Sequence, residues 1–182
     1  MVGTRSLPGW ILLATFGVAA LALPAGAQNV AGSGMLLAKN KLAAKGCGRA
    51  KLTESETLAL EADGTWTVTF DGSGMIGGTY TPLGAKGRKF DLALDAPTLA
   101  DVRTSLGEDL SELCQTQVVV TTIDTKHFRL KLNRAATKAT LKLKLKLAGT
   151  ADGQSGKGSF KVKAKGPWTA GPGSPSGAFL DD

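Results

Sequence analysis

Leu141-Lys142-Leu143-Lys144-Leu145-Lys146-Leu147 decides the fold class. On a helix, at about 100° per residue, these four leucines would scatter to opposite sides and leave no apolar stripe. On a strand they share one face and the lysines share the other. The stretch is therefore a β-strand with one packed and one wet face, the habit of antiparallel sheet.

The same period of two recurs on both sides of it. Downstream, Asp152 to Gly156 forms a turn, after which Phe160, Val162 and Ala164 alternate with Lys161, Lys163 and Lys165. Upstream, Phe128, Leu130 and Leu132 alternate with Arg129 and Lys131, and Gln117 to Ile123 is a β-branched run expected to be buried on both faces for part of its length. Earlier still, Phe90, Leu92 and Leu94 alternate with polar residues, and a short strand is expected over Met75 to Leu83 around Tyr80. Ala50 and Leu52, then Leu58 and Leu60, precede the turn Ala62-Asp63-Gly64, and Trp66, Val68 and Phe70 follow it. Two alternating runs across a Gly-containing turn read as a hairpin.

The period changes once. Leu99, Val102, Leu106, Leu110 and Leu113 are spaced as one apolar helical stripe, which places an α-helix around 97–113. Pro97 suits its first turn and Asp95 can cap it. Gly107 is expected to split or bend it. The sum is a mainly antiparallel all-β domain over 46–168, an up-and-down meander with one inserted helix, closed as a lipocalin-like barrel or folded as a two-layer sandwich. Closure is favoured, because long Leu-Lys strands with open edges would aggregate.

The flanks read differently. Residues 1–27 carry Arg5, an apolar run from Trp10 to Leu23, and Ala25-Gly26-Ala27, the layout of a signal peptide cleaved after Ala27. The apolar run falls short of the about 20 residues a spanning helix needs. A secreted or periplasmic protein is expected. Residues 28–45 are expected to be a weakly structured lead-in, and 169–182 a disordered Gly- and Pro-rich tail. Cys47 and Cys114, the only two cysteines, then form a disulfide. Closing so long a loop is worth about 4 kcal/mol in the chain-entropy account.

The chain of 182 residues carries 22 Lys and Arg against 15 Asp and Glu, a formal net charge of +7. One His and two Cys exclude the usual zinc sites of three or four nitrogen and sulfur ligands. No cofactor or metal is expected. His127, the single histidine, has only Asp124 nearby as an orienting acid, so catalysis is not expected. Gly72 to Gly77 matches G-x-G-x-x-G, but strands flank it on both sides, whereas a dinucleotide site needs a helix after it. Glu108, Asp109 and Glu112 cluster on the helix as an exposed face or a weak cation site.

The Gly64-Thr65-Trp66 and Gly78-Thr79-Tyr80 turn-strand pattern resembles small lipocalin-like bacterial barrels over about a quarter of the chain. The inserted helix departs from the arrangement in which the main helix follows the barrel strands.

Charge is the strongest anomaly. Residues 126–165 hold twelve Lys or Arg and one acid, Asp152. If the three strands here are neighbours, Arg129, Lys131, Lys142, Lys144, Lys146, Lys161, Lys163 and Lys165 share one solvent face. Such a face attracts polyanions. It also serves plain solubility, although solubility alone would be met by mixed signs. Exposed aromatics for base stacking are lacking, so no nucleic acid partner is expected. The first expectation is a non-enzymatic binding or structural protein whose Lys-rich face meets lipopolysaccharide, anionic lipid or acidic polysaccharide. The second is a carrier of a small apolar ligand, its cavity lined by Trp66, Phe70, Tyr80, Phe90, Phe128 and Phe160.

Overall fold

The computed structural model describes residues 31–70, 74–84 and 86–171. The expected signal peptide and most of the expected tail lie outside the described residues. Strands β1 (Gly32–Ala44), β2 (Gly48–Leu60), β3 (Thr65–Phe70), β4 (Gly74–Pro82) and β5 (Lys89–Leu94) come first. Helix α1 (Ala96–Cys114) follows, then β6 (Val118–Leu132), β7 (Lys138–Ala151), β8 (Gln154–Pro167) and the short β9 (Thr169–Ala170). Each of β1 to β8 pairs antiparallel with its neighbours in chain order, and β1 also pairs with β8, so eight strands form a closed barrel. The sandwich alternative falls. β9 adds to β1 beyond the end of β8.

The lead-in expectation for 28–45 is corrected: β1 is the strand that closes the ring. Its glycines hide the signal. A Cβ on Gly34 would lie 2.3 Å from the Pro167 carbonyl oxygen, so the close passage of the chain excludes a side chain there. Trp168 packs beside it, buried in the core at the end of the domain that the sequence placed next to a disordered tail.

The strands differ in length, and that difference makes the site. β3 and β5 have 6 residues each, whereas β1, β2, β6, β7 and β8 have 13 to 15. β2 pairs with β3 only over Glu56–Leu60, so among the described residues Gly48–Ser55 bonds β1 alone. The tall strands rise as a curved wall, and α1 packs against its concave side. Leu106 and Leu110 meet Leu42, Val120, Leu145 and Leu147 in an upper core. A lower core inside the ring gathers Leu36, Leu58, Trp66, Phe90, Leu130 and Leu141 with others.

Local chemistry fixes the helix. Asp95 caps it, its carboxylate accepting from the Thr98 N–H at 2.7 Å. Gly107 does not split it: the helix runs unbroken from Ala96 to Cys114. Gly107 is buried, and a Cβ there would meet the Val118 carbonyl oxygen at 3.4 Å, so the glycine brings α1 close to β6. Ser111 seals that seam, its hydroxyl donating to the Gly107 carbonyl and accepting from the Val118 N–H. The Cys47–Cys114 disulfide, across a separation of 67, ties the helix end to the β1–β2 turn.

β6 is one strand rather than two. Register shifts between Val120 and Thr122 and between Thr125 and His127 reverse the parity twice, as β-bulges do. Val119 is 51% exposed, so the expectation of burial on both faces is corrected. Asp152 and Gly153 form the β7–β8 turn, both at positive φ, the backbone a type I′ hairpin turn requires. Among the described residues no helix is long and apolar enough to cross a membrane. That and the disulfide are compatible with an extracellular or periplasmic protein.

Candidate functional site

Register decides which lysines meet. Lys51 of β2 lies opposite Lys41 of β1, Lys41 opposite Lys161 of β8, Lys161 opposite Lys144 of β7, and Lys144 opposite His127 of β6. One row along, Lys39 faces Lys163, Lys163 faces Lys142, and Lys142 faces Arg129. In the next, Lys165 and Lys131 both flank Thr140, and Lys131 faces Lys89. Lys146 stands apart, between Ser159 and Asp124. The eight residues singled out from sequence are all exposed.

The barrel adds Lys39, Lys41, Lys51 and Lys89 to them. Those four were missed because alternation gives a face and not a neighbour. Only closure through β1 puts Lys39 and Lys41 beside β8. Two acids reach the edges: Asp91 accepts from the Arg129 Nε at 2.6 Å, and Asp124 pairs with Lys126.

The second feature lies inside. A cavity of about 1020 Å³ runs between the lower core and α1. Phe70, Phe128, Leu143 and Phe160 supply apolar wall, and Val102, Leu106 and Leu113 of the helix face them. Leu52 and Met75, 59% and 68% exposed, stand at the rim. Of the six aromatics expected to line a cavity, Phe70, Phe128 and Phe160 do so. Trp66, Tyr80 and Phe90 are instead committed to the packed core. Trp66 stacks edge-on against Phe128 at 5.0 Å and donates to the Ala93 carbonyl. Tyr80 stacks edge-on against Phe90 at 5.6 Å and donates to the Glu61 carbonyl.

Polar residues complete the cavity wall. Glu54 and Glu56 lie two apart on β2, so their side chains share the inner face with Leu58 and Leu60. Asn40 of β1 joins them and donates its Nδ2 to the Glu54 carboxylate. Glu56 is 4% exposed. Burial, with the Glu54 charge adding to it and the Asn40 amide opposing it, pushes the Glu56 carboxyl up to about 7. On the helix side, Asp101, Asp109 and Glu112 edge the same cavity, whereas Glu108 does not line it. Partial burial raises the Asp109 carboxyl above its ordinary range, with Glu112 and Glu108 adding to the effect.

Sequence reasoning passed over Glu54 and Glu56; the signal that could have found them is the parity of Leu52, Leu58 and Leu60, which puts them on the inner face. Among the described residues no group of three or more His, Cys, Asp or Glu is arranged to hold a metal ion. No family model, no curated protein and no solved structure matches this chain.

Proposed function

We propose that the protein is an exported, non-enzymatic binding protein whose Lys-rich barrel face meets an anionic surface or polymer: lipopolysaccharide, anionic lipid or acidic polysaccharide. One observation carries the reading. Cationic side chains stand directly opposite one another across five strand interfaces, from Lys51–Lys41 at β2–β1 to Lys89–Lys131 at β5–β6. Each like-charged pair costs about 0.2–1 kcal/mol against a neutral one. Adjacent strands lie about 5 Å apart, within the about 10 Å Debye length at 0.1 M salt, so the charges act as one field. A solubility face needs no such cost, whereas a polyanion offsets it on binding.

The test is retention on heparin and on vesicles containing phosphatidylglycerol, across a salt gradient. Replacing Lys142, Lys144, Lys146, Lys161, Lys163 and Lys165 with Gln removes salt-dependent retention on this reading. A variant that elutes at the wild-type salt concentration overturns it.

The cavity favours a second reading, a carrier of a small ligand. Its volume matches the roughly 300–1,000 Å³ of small-molecule sites, and such sites combine apolar walls with a few placed polar groups.

A further inference from the structure

The carrier reading leaves open what the ligand is, and the polar part of the cavity wall bears on that. Resting on that reading, we propose that the cavity takes a cationic amphiphile, with its apolar body against Phe70, Phe128, Leu143 and Phe160 and an N–H-bearing ammonium head between Asn40, Glu54 and Glu56.

Three observations converge on the head group. First, Glu56 is among the most deeply buried polar side chains of the protein, with Glu54 beside it on the same face of β2. A buried carboxylate is costly unless a cation or donors compensate it. Second, the Asn40 side-chain oxygen is buried and has no hydrogen-bond partner. The amide cannot be turned to relieve it, because its Nδ2 is engaged by the Glu54 carboxylate, and the turned amide would set oxygen against oxygen. The site therefore presents acceptors in want of a donor. Third, the helix repeats the sign: Asp101, Asp109 and Glu112 of α1 also edge the cavity, and among the described residues Lys51 is the one cationic residue in its lining.

A primary ammonium has three N–H donors, enough for the Asn40 oxygen and both carboxylates. Charge-assisted bonds of this kind are roughly twice as strong as neutral ones. A carboxylate or phosphate head would meet like charge from both β2 and α1 and supply no donor. The interior thus selects the opposite sign from the exterior: anions are drawn to the Lys-rich face, cations to the cavity. A fatty acid, the usual probe for a small barrel, is the wrong ligand here.

The experiment is isothermal titration of the disulfide-bonded protein with three probes of one tail length: dodecylamine, dodecanol and dodecanoate, at pH 7.5 and moderate salt. The amine is expected to bind at least about tenfold more tightly than the alcohol. Any heat from dodecanoate is expected to vanish in the Lys-to-Gln variant, because it would come from the outer face. Glu54→Gln and Glu56→Gln, made separately so that one folding failure leaves the other, should each weaken the amine about tenfold and leave the alcohol unchanged. Equal binding of amine and alcohol, unmoved by either substitution, overturns the head-group assignment and leaves an apolar carrier. Failure of all three probes overturns the carrier reading with it.

Discussion

Glu56→Gln should make the protein more stable at pH 8 and leave it nearly unchanged at pH 4.5. Burial raises the Glu56 carboxyl from 4.5 to about 7. The folded state therefore holds its proton more tightly than the unfolded chain. Between those two values the native state binds more protons, so stability falls as pH rises through the window and levels off above about pH 7. At about 1.4 kcal/mol per pH unit the full shift corresponds to about 3 kcal/mol. The carboxyl faces a cavity that solvent enters at the Leu52 and Met75 rim. With that screening the expected penalty is about 1–2 kcal/mol. Glutamine keeps the shape and has no charge to desolvate.

The assay is thermal unfolding followed by circular dichroism at pH 4.5, 6 and 8, with the disulfide intact. At about 2–4 °C per kcal/mol for a chain of this size, Glu56→Gln should raise Tm at pH 8 by about 2–8 °C. The wild-type decline between pH 4.5 and 8 should flatten accordingly. Asp109 acts with the same sign and remains in both proteins. Asp63 and Asp95 are held below 3.8 by hydrogen bonds to Thr65 and Thr98, so their contributions are lost only at lower pH. If wild type and Glu56→Gln show the same slope across the window, Glu56 is not desolvated, and the inner polar group has been misread.

Two further predictions concern stability. Lys163 lies opposite both Lys39 and Lys142, so Lys163→Glu turns two repulsive pairs into attractive ones and should stabilise by about 0.5–2 kcal/mol. A higher urea midpoint at unchanged slope is expected, together with earlier elution from heparin; an unchanged or lower midpoint would sink the claim of repulsion. Asp95→Ala removes the cap on the Thr98 N–H and should cost about 1 kcal/mol. Amide exchange in the first turn of α1 should quicken more than elsewhere, and uniform protection would show the cap to be idle.

Most of the architecture was legible because alternation is a local property. The Leu-Lys run, the turn at Asp63 and the helical stripe each announce themselves within a few residues, and the two cysteines leave one pairing. What escaped was either silent or distant. β1 is rich in Gly and Ala, so its small residues, present because the chain passes close by, give no periodic signal. Trp168 lies in a Gly- and Pro-rich neighbourhood and is buried because it packs on Gly32 and Gly34 of β1, at the far end of the sequence. Glu54 and Glu56 interrupt an apolar face, and polarity alone marks them as outward; only the parity of the surrounding leucines argues otherwise. The two β6 bulges each reverse the parity, so one strand looks like two. For the Lys-rich face, sequence supplied the three C-terminal strands, and the fold supplied the rest: Lys39 and Lys41 from a strand more than a hundred residues before β8, Lys51 from β2 and Lys89 from β5.

That closure also governs how the molecule can be made. The β1–β8 ladder joins Leu37 to Lys165 and Ala44 to Gly158, contacts far apart along the chain. Loop closure of that order must be met before the ladder returns any stability, and folds dominated by such pairings form slowly. Until β8 arrives, β1 has only β2 beside it, and the edge later covered by Lys161 and Lys163 stays open. A fragment ending before β8 has no ring to close. The protein is thus all-or-none with respect to its own length, and an incomplete chain exposes a strand edge to whatever is near.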